Sequence, residues 1–355
     1  NYEMIKGTVT INKVWEDPEG LTGIEHPELT FTLKATGLND VTATISSTER
    51  TTTVTDVQKY TANGEYITYT VTENAHGSEY YLTNTESYQV KVLEGQNTAT
   101  FTNRFDVEKL KDVTVTVTKK WEDRNNEDGK REKVSFTISN SLNNNTETKT
   151  VADTEDGATV EFTGLQRYKD NGDSFELVQY TVAEEAFNNS NFYTTTVEYP
   201  EGKTYVEGTG NVTVTNKLNY EMITETITAN KVWNDPAGFE ELGIEHPAIT
   251  FTLKAINTEK AAQANEIADR TESLNGTNAV FSNVRKYYAN GEEIEYVVKE
   301  NVSENTYYPA NNELRDVTNN AVTFTNTFDV TKLKGVNVKV TKEWNDANDA
   351  EGLRD

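Results

Sequence analysis

The 355-residue sequence contains no cysteine, so neither a disulfide nor a thiolate metal site can stabilise it. No apolar run approaches the roughly 20 residues of a membrane-spanning helix, and the start lacks the charged and then apolar pattern of a secretory signal. Positive charge is scarce, because 58 acidic residues outnumber 33 basic ones and give a formal net charge of −25. A surface this acidic repels nucleic acid and anionic membranes. We therefore expect neither nucleic-acid binding nor membrane insertion.

The composition is that of a folded all-β protein. Hydrophobic residues make up 35% of the chain, and the 18 Tyr, the 13 Phe and the many Thr and Val residues favour pleated, half-buried strands. Two-residue periodicity dominates, and no long amphipathic helix stands out. The length exceeds the roughly 100 to 200 residues of one domain, which predicts two or three domains.

The chain repeats itself. NYEMIKGTVTINKVWEDP from Asn1 returns as NYEMITETITANKVWNDP from Asn219, and FDVEKLKDVTVTVTKKWEDRNNEDGKRE from Phe105 returns as FDVTKLKGVNVKVTKEWNDANDAEGLRD from Phe328. Such self-similarity indicates duplicated domains. Because the chain begins and ends inside repeats, we expect it to be part of a longer protein. The predicted repeats are a first of type A (1–105), a second of type B (106–218), a third of type A (219–328) and the start of a fourth, truncated type B repeat (329–355).

Each complete repeat is about 110 residues long. Its two-residue periodicity and its Asn-Gly turn predict an immunoglobulin-like β-sandwich with a hairpin at that turn. The links between repeats are short and contain apolar residues such as Phe105, Leu110 and Ile223, so we expect the repeats to pack end to end in a rod. The segment from Lys260 to Arg270 is an insertion in the third repeat, either a short helix or an elaborated loop.

A lysine lies on the apolar face of the opening strand in every repeat. Side chains alternate with period two, so Val9, Ile11, Lys13 and Trp15 share one face. The same alternation puts a glutamate on the apolar face of a later strand and an asparagine on that of the last strand. The three sets are Lys13, Glu73 and Asn103; Lys119, Glu184 and Asn216; and Lys231, Glu300 and Asn326.

Buried unpaired charges cost several kcal/mol each, so such sets need some compensating arrangement. Spacing alone leaves two plain interpretations open. The lysines and glutamates lie at strand ends and extend to solvent, or they form buried ion pairs with asparagine as a hydrogen-bond partner. Because burial disfavours the charged form, it lowers the pKa of an amine and raises that of a carboxyl, which would leave the amine nucleophilic.

The combined motifs resemble the collagen-adhesin B-type (Cna B-type) domains of Gram-positive surface proteins. They are Val-x-Val-Thr-Lys-x-Trp, the loop EDRNNEDGKRE, the Asn-Gly hairpin, Tyr-Thr-Val-x-Glu and the closing Val-Thr-Asn. In that family an acidic residue promotes an autocatalytic isopeptide bond between the first-strand lysine and the last-strand asparagine. By position, the resemblance implies bonds Lys13–Asn103, Lys119–Asn216 and Lys231–Asn326, promoted by Glu73, Glu184 and Glu300, with Lys342 as the lysine of the fourth repeat.

One departure from the family pattern concerns the loop after the opening strand. The type A repeats carry PEGLTGIEHPE and PAGFEELGIEHPA where the type B repeat has its DGxR-like loop, so type A is a divergent branch. Trp15, Trp121 and Trp233 either wall the reaction sites or belong to the ordinary core.

The resemblance implies a structural spacer of a cell-wall-anchored adhesin, located outside the cell on the bacterial surface. The expected partners are neighbouring repeats and a host-surface ligand bound through a distal domain. Two alternatives are a module that binds a host protein or glycan and a pilin shaft. Near-copying of type A favours the spacer, and YPEGK at Tyr199 and YPAN at Tyr308 lack the Tyr-Pro-Lys pattern of shaft pilins.

No turnover enzyme, cofactor or metal is expected. The three histidines, His26, His76 and His246, have no convincing nucleophile or metal-ligand spacing. The loop from Asp123 to Asp128 alternates acidic and amide residues, but the glycine and glutamate of a calcium-binding hand do not fall in register. We interpret it as a solvated turn, with a calcium site as the lesser alternative.

Overall fold

The computed structural model describes residues 1–93, 97–143, 145–256, 267–310, 312–335, 338–345 and 347–353. The chain is all-β, which confirms the predicted fold class. No helix in the described ranges has the length and apolar character that crossing a membrane requires. The chain divides into two compact units, 1–218 and 219–355, and each is described separately.

The first repeat is a sandwich of seven strands. Its three-stranded sheet has the order β4-β1-β7, and its four-stranded sheet has the order β3-β2-β5-β6. The strands are β1 (Lys6–Glu16), β2 (Leu29–Lys34), β3 (Val41–Ile45), β4 (Thr51–Gln58), β5 (Thr68–Glu73), β6 (Ser87–Lys91) and β7 (Thr98–Arg104).

The second repeat has two four-stranded sheets, ordered β11-β8-β17-β15 and β10-β9-β14-β16, and a separate hairpin of β12 and β13. Its strands are β8 (Val113–Glu122), β9 (Ser135–Asn140), β10 (Thr146–Thr150), β11 (Thr159–Leu165), β12 (Tyr168–Asp170), β13 (Phe175–Leu177), β14 (Gln179–Glu184), β15 (Tyr193–Glu198), β16 (Val206–Glu207) and β17 (Gly210–Leu218).

The third repeat has the sheet orders of the first, β21-β18-β24 and β20-β19-β22-β23. Its strands are β18 (Thr224–Asn234), β19 (Ile249–Ala255), β20 (Arg270–Ser273), β21 (Asn278–Arg285), β22 (Tyr296–Val302), β23 (Leu314–Asp316) and β24 (Ala321–Thr327). Of the predicted insertion, residues 260–266 lie outside the described residues, and Arg270 begins β20. Short 3-10 turns occur at Tyr2–Met4, Val107–Lys109, Arg124–Asn126, Ser190–Phe192, Pro200–Gly202, Tyr220–Met222, Phe239–Leu242 and Val330–Lys332.

The core of each sandwich follows from the alternation of its strands. In the first repeat, Val9 and Ile11 of one sheet are fully buried, as are Phe31 and Val71 of the other. Burying such side chains stabilises the fold by about 1.5 to 3 kcal/mol each. The polar residues between them point outward, so the two inner faces form one apolar layer.

The Asn-Gly turns form as predicted, and in the second repeat the turn closes the predicted hairpin, that of β12 and β13. Gly64, Gly172 and Gly291 adopt positive φ angles of 83°, 88° and 84°, which glycine accepts without steric cost. In the first and third repeats the strand before the turn, β4 or β21, pairs with the opening strand, whereas the strand after it, β5 or β22, belongs to the facing sheet. These two turns therefore carry the chain from one layer of the sandwich to the other.

The first and second repeats share a small apolar cluster within the first compact unit. It contains Tyr81 and Phe105 from the first repeat and Val107, Leu110 and Tyr168 from the second. The expected packing of neighbouring repeats is thus present in this unit.

The same junction has an ionic contact. Arg104 donates to both carboxylate oxygens of Asp170, at 2.8 and 2.6 Å, and its guanidinium stacks 4.2 Å from the Phe175 ring centroid. The hairpin of β12 and β13 supplies both partners.

Candidate functional site

The first and last strands of each repeat are parallel neighbours, and this pairing positions the lysine beside the asparagine. In the first repeat Lys13 is paired with Phe101, and Trp15 with Asn103. The lysine and the asparagine thus lie two positions apart on adjacent strands and on one face. The same register recurs between β8 and β17 and between β18 and β24.

The glutamate reaches the pair from the facing sheet. Glu73 lies on β5, Glu184 on β14 and Glu300 on β22. All nine side chains lie in the sandwich interiors, and the lysines are at most 4% exposed. The structure therefore brings together every predicted lysine, glutamate and asparagine, set by set.

In the first repeat the glutamate contacts the asparagine directly. Asn103 Nδ2 donates to Glu73 Oε1 at 2.7 Å, and the Asn84 backbone N–H donates to the same oxygen at 3.1 Å. Lys13 Nζ donates to the carbonyls of Val14 and Phe101 at 2.8 and 3.3 Å. The Asn103 amide is thus hydrogen-bonded to the Glu73 carboxyl group, and the Lys13 amine to two backbone carbonyls.

A histidine found only in the first repeat adds a further group. The His76 Nε2 atom lies 3.6 Å from Glu73 Oε1, and the Ser78 N–H donates to His76 Nδ1 at 3.3 Å. Accepting at Nδ1 puts the proton of a neutral ring on Nε2, facing the glutamate. Burial lowers the pKa of His76, which favours this neutral ring.

In the second repeat the glutamate contacts the lysine. Lys119 Nζ lies 3.3 Å from Glu184 Oε1. The Thr195 hydroxyl donates to Asn216 Oδ1 at 2.8 Å and lies 3.3 Å from Glu184 Oε2. A fourth residue, absent from the predicted set, thus stands between acid and amide.

The third repeat also pairs its lysine with its glutamate. Lys231 Nζ lies 3.3 Å from Glu300 Oε1, and both side chains are fully buried. Neither polar atom of the Asn326 amide has a hydrogen-bond partner among the described residues. The amide is thus enclosed without a protein partner for its oxygen.

Burial makes the lysines poor cations. Desolvation lowers the pKa of Lys13 and of Lys119 to about 8, against the opposing attraction of the nearby glutamates, and it also lowers the pKa of Lys231. At pH 7 roughly one amine in ten is neutral when its pKa is about 8. A neutral amine beside a carboxamide and a carboxyl can act as a nucleophile.

A tryptophan lies over each lysine. The ammonium groups of Lys13, Lys119 and Lys231 lie 4.0, 4.3 and 4.0 Å from the centroids of Trp15, Trp121 and Trp233. The indole rings form one wall of each site, as one of the two interpretations of these residues predicted. They hold water away from the amine and so maintain its low pKa.

In the type A repeats a histidine covers the tryptophan. His26 stacks on Trp15 with ring centroids 4.3 Å apart, and its Nε2 lies 2.9 Å from Asp17 Oδ2. Tyr81 donates to the other oxygen of Asp17 at 2.6 Å. The third repeat repeats this cap with His246, Asp235 and Tyr308 around Trp233. Sequence reasoning missed the cap, although the duplicated GIEHP loop was its signal.

In the type B repeat an arginine takes the place of the histidine. Arg131 donates to both oxygens of Asp123, at 2.7 and 2.9 Å, and Tyr193 donates to Asp123 at 3.1 Å. The solvated turn predicted from Asp123 to Asp128 is thus wrong at its first residue. Asp123 is 3% exposed because it pairs with Arg131 and caps the following 3-10 turn through the Asn126 N–H.

One further residue predicted from the sequence, Lys342, lies outside the three sites. Lys342 is exposed, its ammonium lies 3.3 Å from the Trp344 centroid, and no strand forms in the described residues 338–345. The parts of the chain that the structure describes contain no group of three histidine or acidic side chains placed to hold a metal ion.

Fold and site together define a β-sandwich domain whose first and last strands meet at a buried lysine, glutamate and asparagine. A sequence model of the Cna protein B-type domain matches residues 9–104, 115–217 and 227–327. The chain therefore belongs to the Cna B-type family, which confirms the resemblance seen in its motifs.

Among known proteins, the chain is 29% identical over 353 residues to a collagen adhesin of Staphylococcus aureus. The match covers 98% of this chain and 25% of the adhesin, so the chain spans about a quarter of that relative's length.

Solved structures give two further comparisons. Two B repeat units of the Staphylococcus aureus collagen-binding protein are 25% identical, with a TM-score of 0.28, covering 91% of this chain and 74% of theirs. The major pilin T-13 of Streptococcus pyogenes is 15% identical, with a TM-score of 0.25, covering 60% of this chain and 98% of its own.

Proposed function

We propose that this chain is a spacer segment of a cell-wall-anchored adhesin on the surface of a Gram-positive bacterium. Each complete repeat locks itself with one amide bond between its lysine and its asparagine. The observation that carries the proposal is the threefold recurrence of a buried lysine and asparagine on adjacent parallel strands, with a glutamate facing them.

The chemistry is a single transamidation within each repeat. The neutral lysine amine attacks the asparagine carboxamide carbon, and the glutamate moves protons between the amine and the departing ammonia. Folding supplies the proximity, which can contribute about 7 to 11 kcal/mol toward the barrier. The reaction occurs once, so the repeat is a substrate of its own fold and not a turnover enzyme.

The position of the bond explains its use. Pulling on the chain ends loads the first and last strands, which are parallel neighbours, so their hydrogen bonds are loaded in shear. A covalent bond between these strands carries the force past the loop that it closes. Each locked repeat then resists extension and proteolysis, and the row of repeats holds a distal ligand-binding region away from the cell wall.

Single-molecule stretching of the whole chain tests the spacer function. We expect the native chain to extend only through its links, with no unfolding step from a complete repeat. In the variant Glu73→Gln, Glu184→Gln, Glu300→Gln, each repeat should unfold and release about 300 Å for its roughly 90 enclosed residues. The matched control replaces one exposed glutamate of each complete repeat, Glu65, Glu176 and Glu304, by Gln. Steps of full repeat length in the native chain would contradict the proposal.

A further inference from the structure

The second repeat differs from the other two at the edge of its reaction centre. Its sheet has an additional strand, β15, hydrogen-bonded to β17, whereas β7 and β24 end their sheets within the described residues. The pairing of β15 with β17 places Thr195 directly opposite Asn216. The side chains of two directly opposed residues lie on the same face of a sheet.

Three contacts link the four polar groups of this centre in a row. Lys119 Nζ lies 3.3 Å from Glu184 Oε1, Glu184 Oε2 lies 3.3 Å from Thr195 Oγ1, and Thr195 Oγ1 lies 2.8 Å from Asn216 Oδ1. In the first repeat the acid instead contacts the amide directly, through Asn103 Nδ2 and Glu73 Oε1 at 2.7 Å. In the second repeat the Thr195 hydroxyl thus lies between the Glu184 carboxyl group and the Asn216 carbonyl oxygen.

The geometry points to Thr195 as a further catalytic residue of the second repeat, which relays a proton between Glu184 and the carbonyl oxygen of Asn216. This role rests on the proposed cross-linking. A hydroxyl accepts one hydrogen bond while it donates another, so Thr195 can take the Glu184 proton and pass on its own. Its distance to Asn216 Oδ1 is that of a hydrogen bond to a developing oxyanion.

Protons and bonds are accounted for in both steps of the reaction, the addition of the amine and the loss of ammonia. The amine of Lys119 bonds to the Asn216 carboxamide carbon, and the carbonyl electron pair moves to Oδ1. Oδ1 takes the Thr195 proton, Thr195 takes the proton of Glu184 Oε2, and Glu184 Oε1 takes the surplus proton of the lysine nitrogen.

In the second half, Glu184 Oε1 gives that proton to Asn216 Nδ2, and the bond from the carbon to Nδ2 breaks. Ammonia leaves, and the proton on Oδ1 returns through Thr195 to Glu184 Oε2. The products are one secondary amide, one ammonia and a regenerated carboxylic acid.

The test compares Thr195→Val with Thr195→Ser in the full chain. Chains are made in a short cell-free pulse and stopped with acid at intervals. The linked and unlinked peptides around Lys119 are then counted by mass spectrometry, with the first and third repeats of the same chain as internal standards. Thr196→Val is the matched control, because Thr196 lies on the opposite face of β15.

We expect Thr195→Val to slow the second bond by about 100- to 1000-fold, as for loss of one oxyanion donor. Thr195→Ser should restore the rate to within a few-fold, and Thr196→Val should leave it unchanged. Hydrogen exchange of unreacted chains shows whether each variant is folded.

An unchanged rate in Thr195→Val, or a folded Thr195→Ser as slow as the valine variant, would overturn the relay. Absence of cross-links from all three repeats of the native chain would overturn the proposed function itself, which the internal standards reveal separately.

Discussion

The first and second repeats hold the same lysine, glutamate and asparagine on equivalent strands, yet they surround them differently. In the first, Glu73 contacts Asn103 directly and a histidine covers Trp15. In the second, Thr195 stands between acid and amide. The three reactive groups are fixed by strand pairing, while the groups around them come from loops and an edge strand. The first and second repeats therefore position the same three groups in two different ways.

The largest expected effect comes from removing the acid of one repeat. Glu184→Gln should abolish the second bond and leave the first and third intact, because each centre is enclosed within its own sandwich. A cross-link closing a loop of roughly 100 residues stabilises by about 4 to 5 kcal/mol in the chain-entropy account. Peptide mapping measures the bond, and hydrogen exchange of each repeat measures its free energy of opening.

Glu73→Gln is the matched experiment in the first repeat. If either variant also blocked the bond in the other repeat, the two centres would not be independent.

The next-largest expected effect distinguishes the histidine cap over Trp15 from the arginine that replaces it in the second repeat. In chains without the bonds, Arg131→Ala should destabilise the second repeat by about 3 kcal/mol, because it leaves Asp123 buried without its cation. His26→Ala should cost about 1 kcal/mol, because Asp17 is 29% exposed and keeps the hydrogen bond from Tyr81. Hydrogen exchange of the two repeats in one sample gives both values.

Equal losses from Arg131→Ala and His26→Ala would show that the two caps are equivalent, contrary to this account. Glu65→Ala, at an exposed position beside the Asn-Gly turn of the first repeat, is a suitable control.

The pH dependence of bond formation distinguishes the proton states of the two repeats. Burial lowers the pKa of Lys13 and Lys119 to about 8, and only the neutral amine attacks. Raising the pH therefore increases the reactive fraction of Lys13, by about tenfold per pH unit below 8 and little above 9.

The relay of the second repeat also needs the proton on Glu184, and the reactive pair then holds one proton, as does the ion pair of Lys119 and Glu184. The rate of the second bond should therefore stay level below pH 7 and fall by about tenfold at pH 9. Timed mass spectrometry of newly made chains between pH 6 and 9 measures both rates. A first bond that slows as the pH rises, or a second bond that forms tenfold faster per pH unit, would contradict these proton states.

The smallest effect concerns the junction after each type A repeat. Arg104, beside Asp170 in the first compact unit, is partly exposed, so Arg104→Thr should weaken the junction by about 0.5 to 1 kcal/mol. The third repeat carries Thr327 at this position. Hydrogen exchange of residues 105–112 should rise a few-fold, and Lys149→Thr, away from the junction, should leave it unchanged. No change in Arg104→Thr would show that the apolar cluster alone holds the two repeats.

Strand alternation was sufficient to predict that Lys13, Glu73 and Asn103 lie on inward faces, whereas their cross-linking was inferred from the family resemblance and stays a prediction. The sequence also predicted the all-β class and the turns at Asn-Gly. In the first and third repeats the strands on either side of the turn belong to different sheets, which could not be predicted because it depends on how the two sheets face each other in the sandwich.

The residues around these lysine, glutamate and asparagine sets could not be predicted from the sequence, for a different reason. Thr195 lies in a run of three threonines that any exposed edge strand could carry, and only its pairing with β17 distinguishes it. His26 approaches Trp15 through a loop, and loop positions have no periodicity from which contacts can be deduced. Asp123 looked solvated because its partner Arg131 lies eight residues away, across a turn.

The central claim, that each complete repeat closes its own amide bond, is tested most directly by the accurate mass of the intact purified chain. The account predicts a mass lower than that of the unmodified sequence by three molecules of ammonia, with linked peptides containing Lys13, Lys119 and Lys231. The full unmodified mass would contradict it, and the three buried sets would then be ion pairs and hydrogen bonds within ordinary sandwiches.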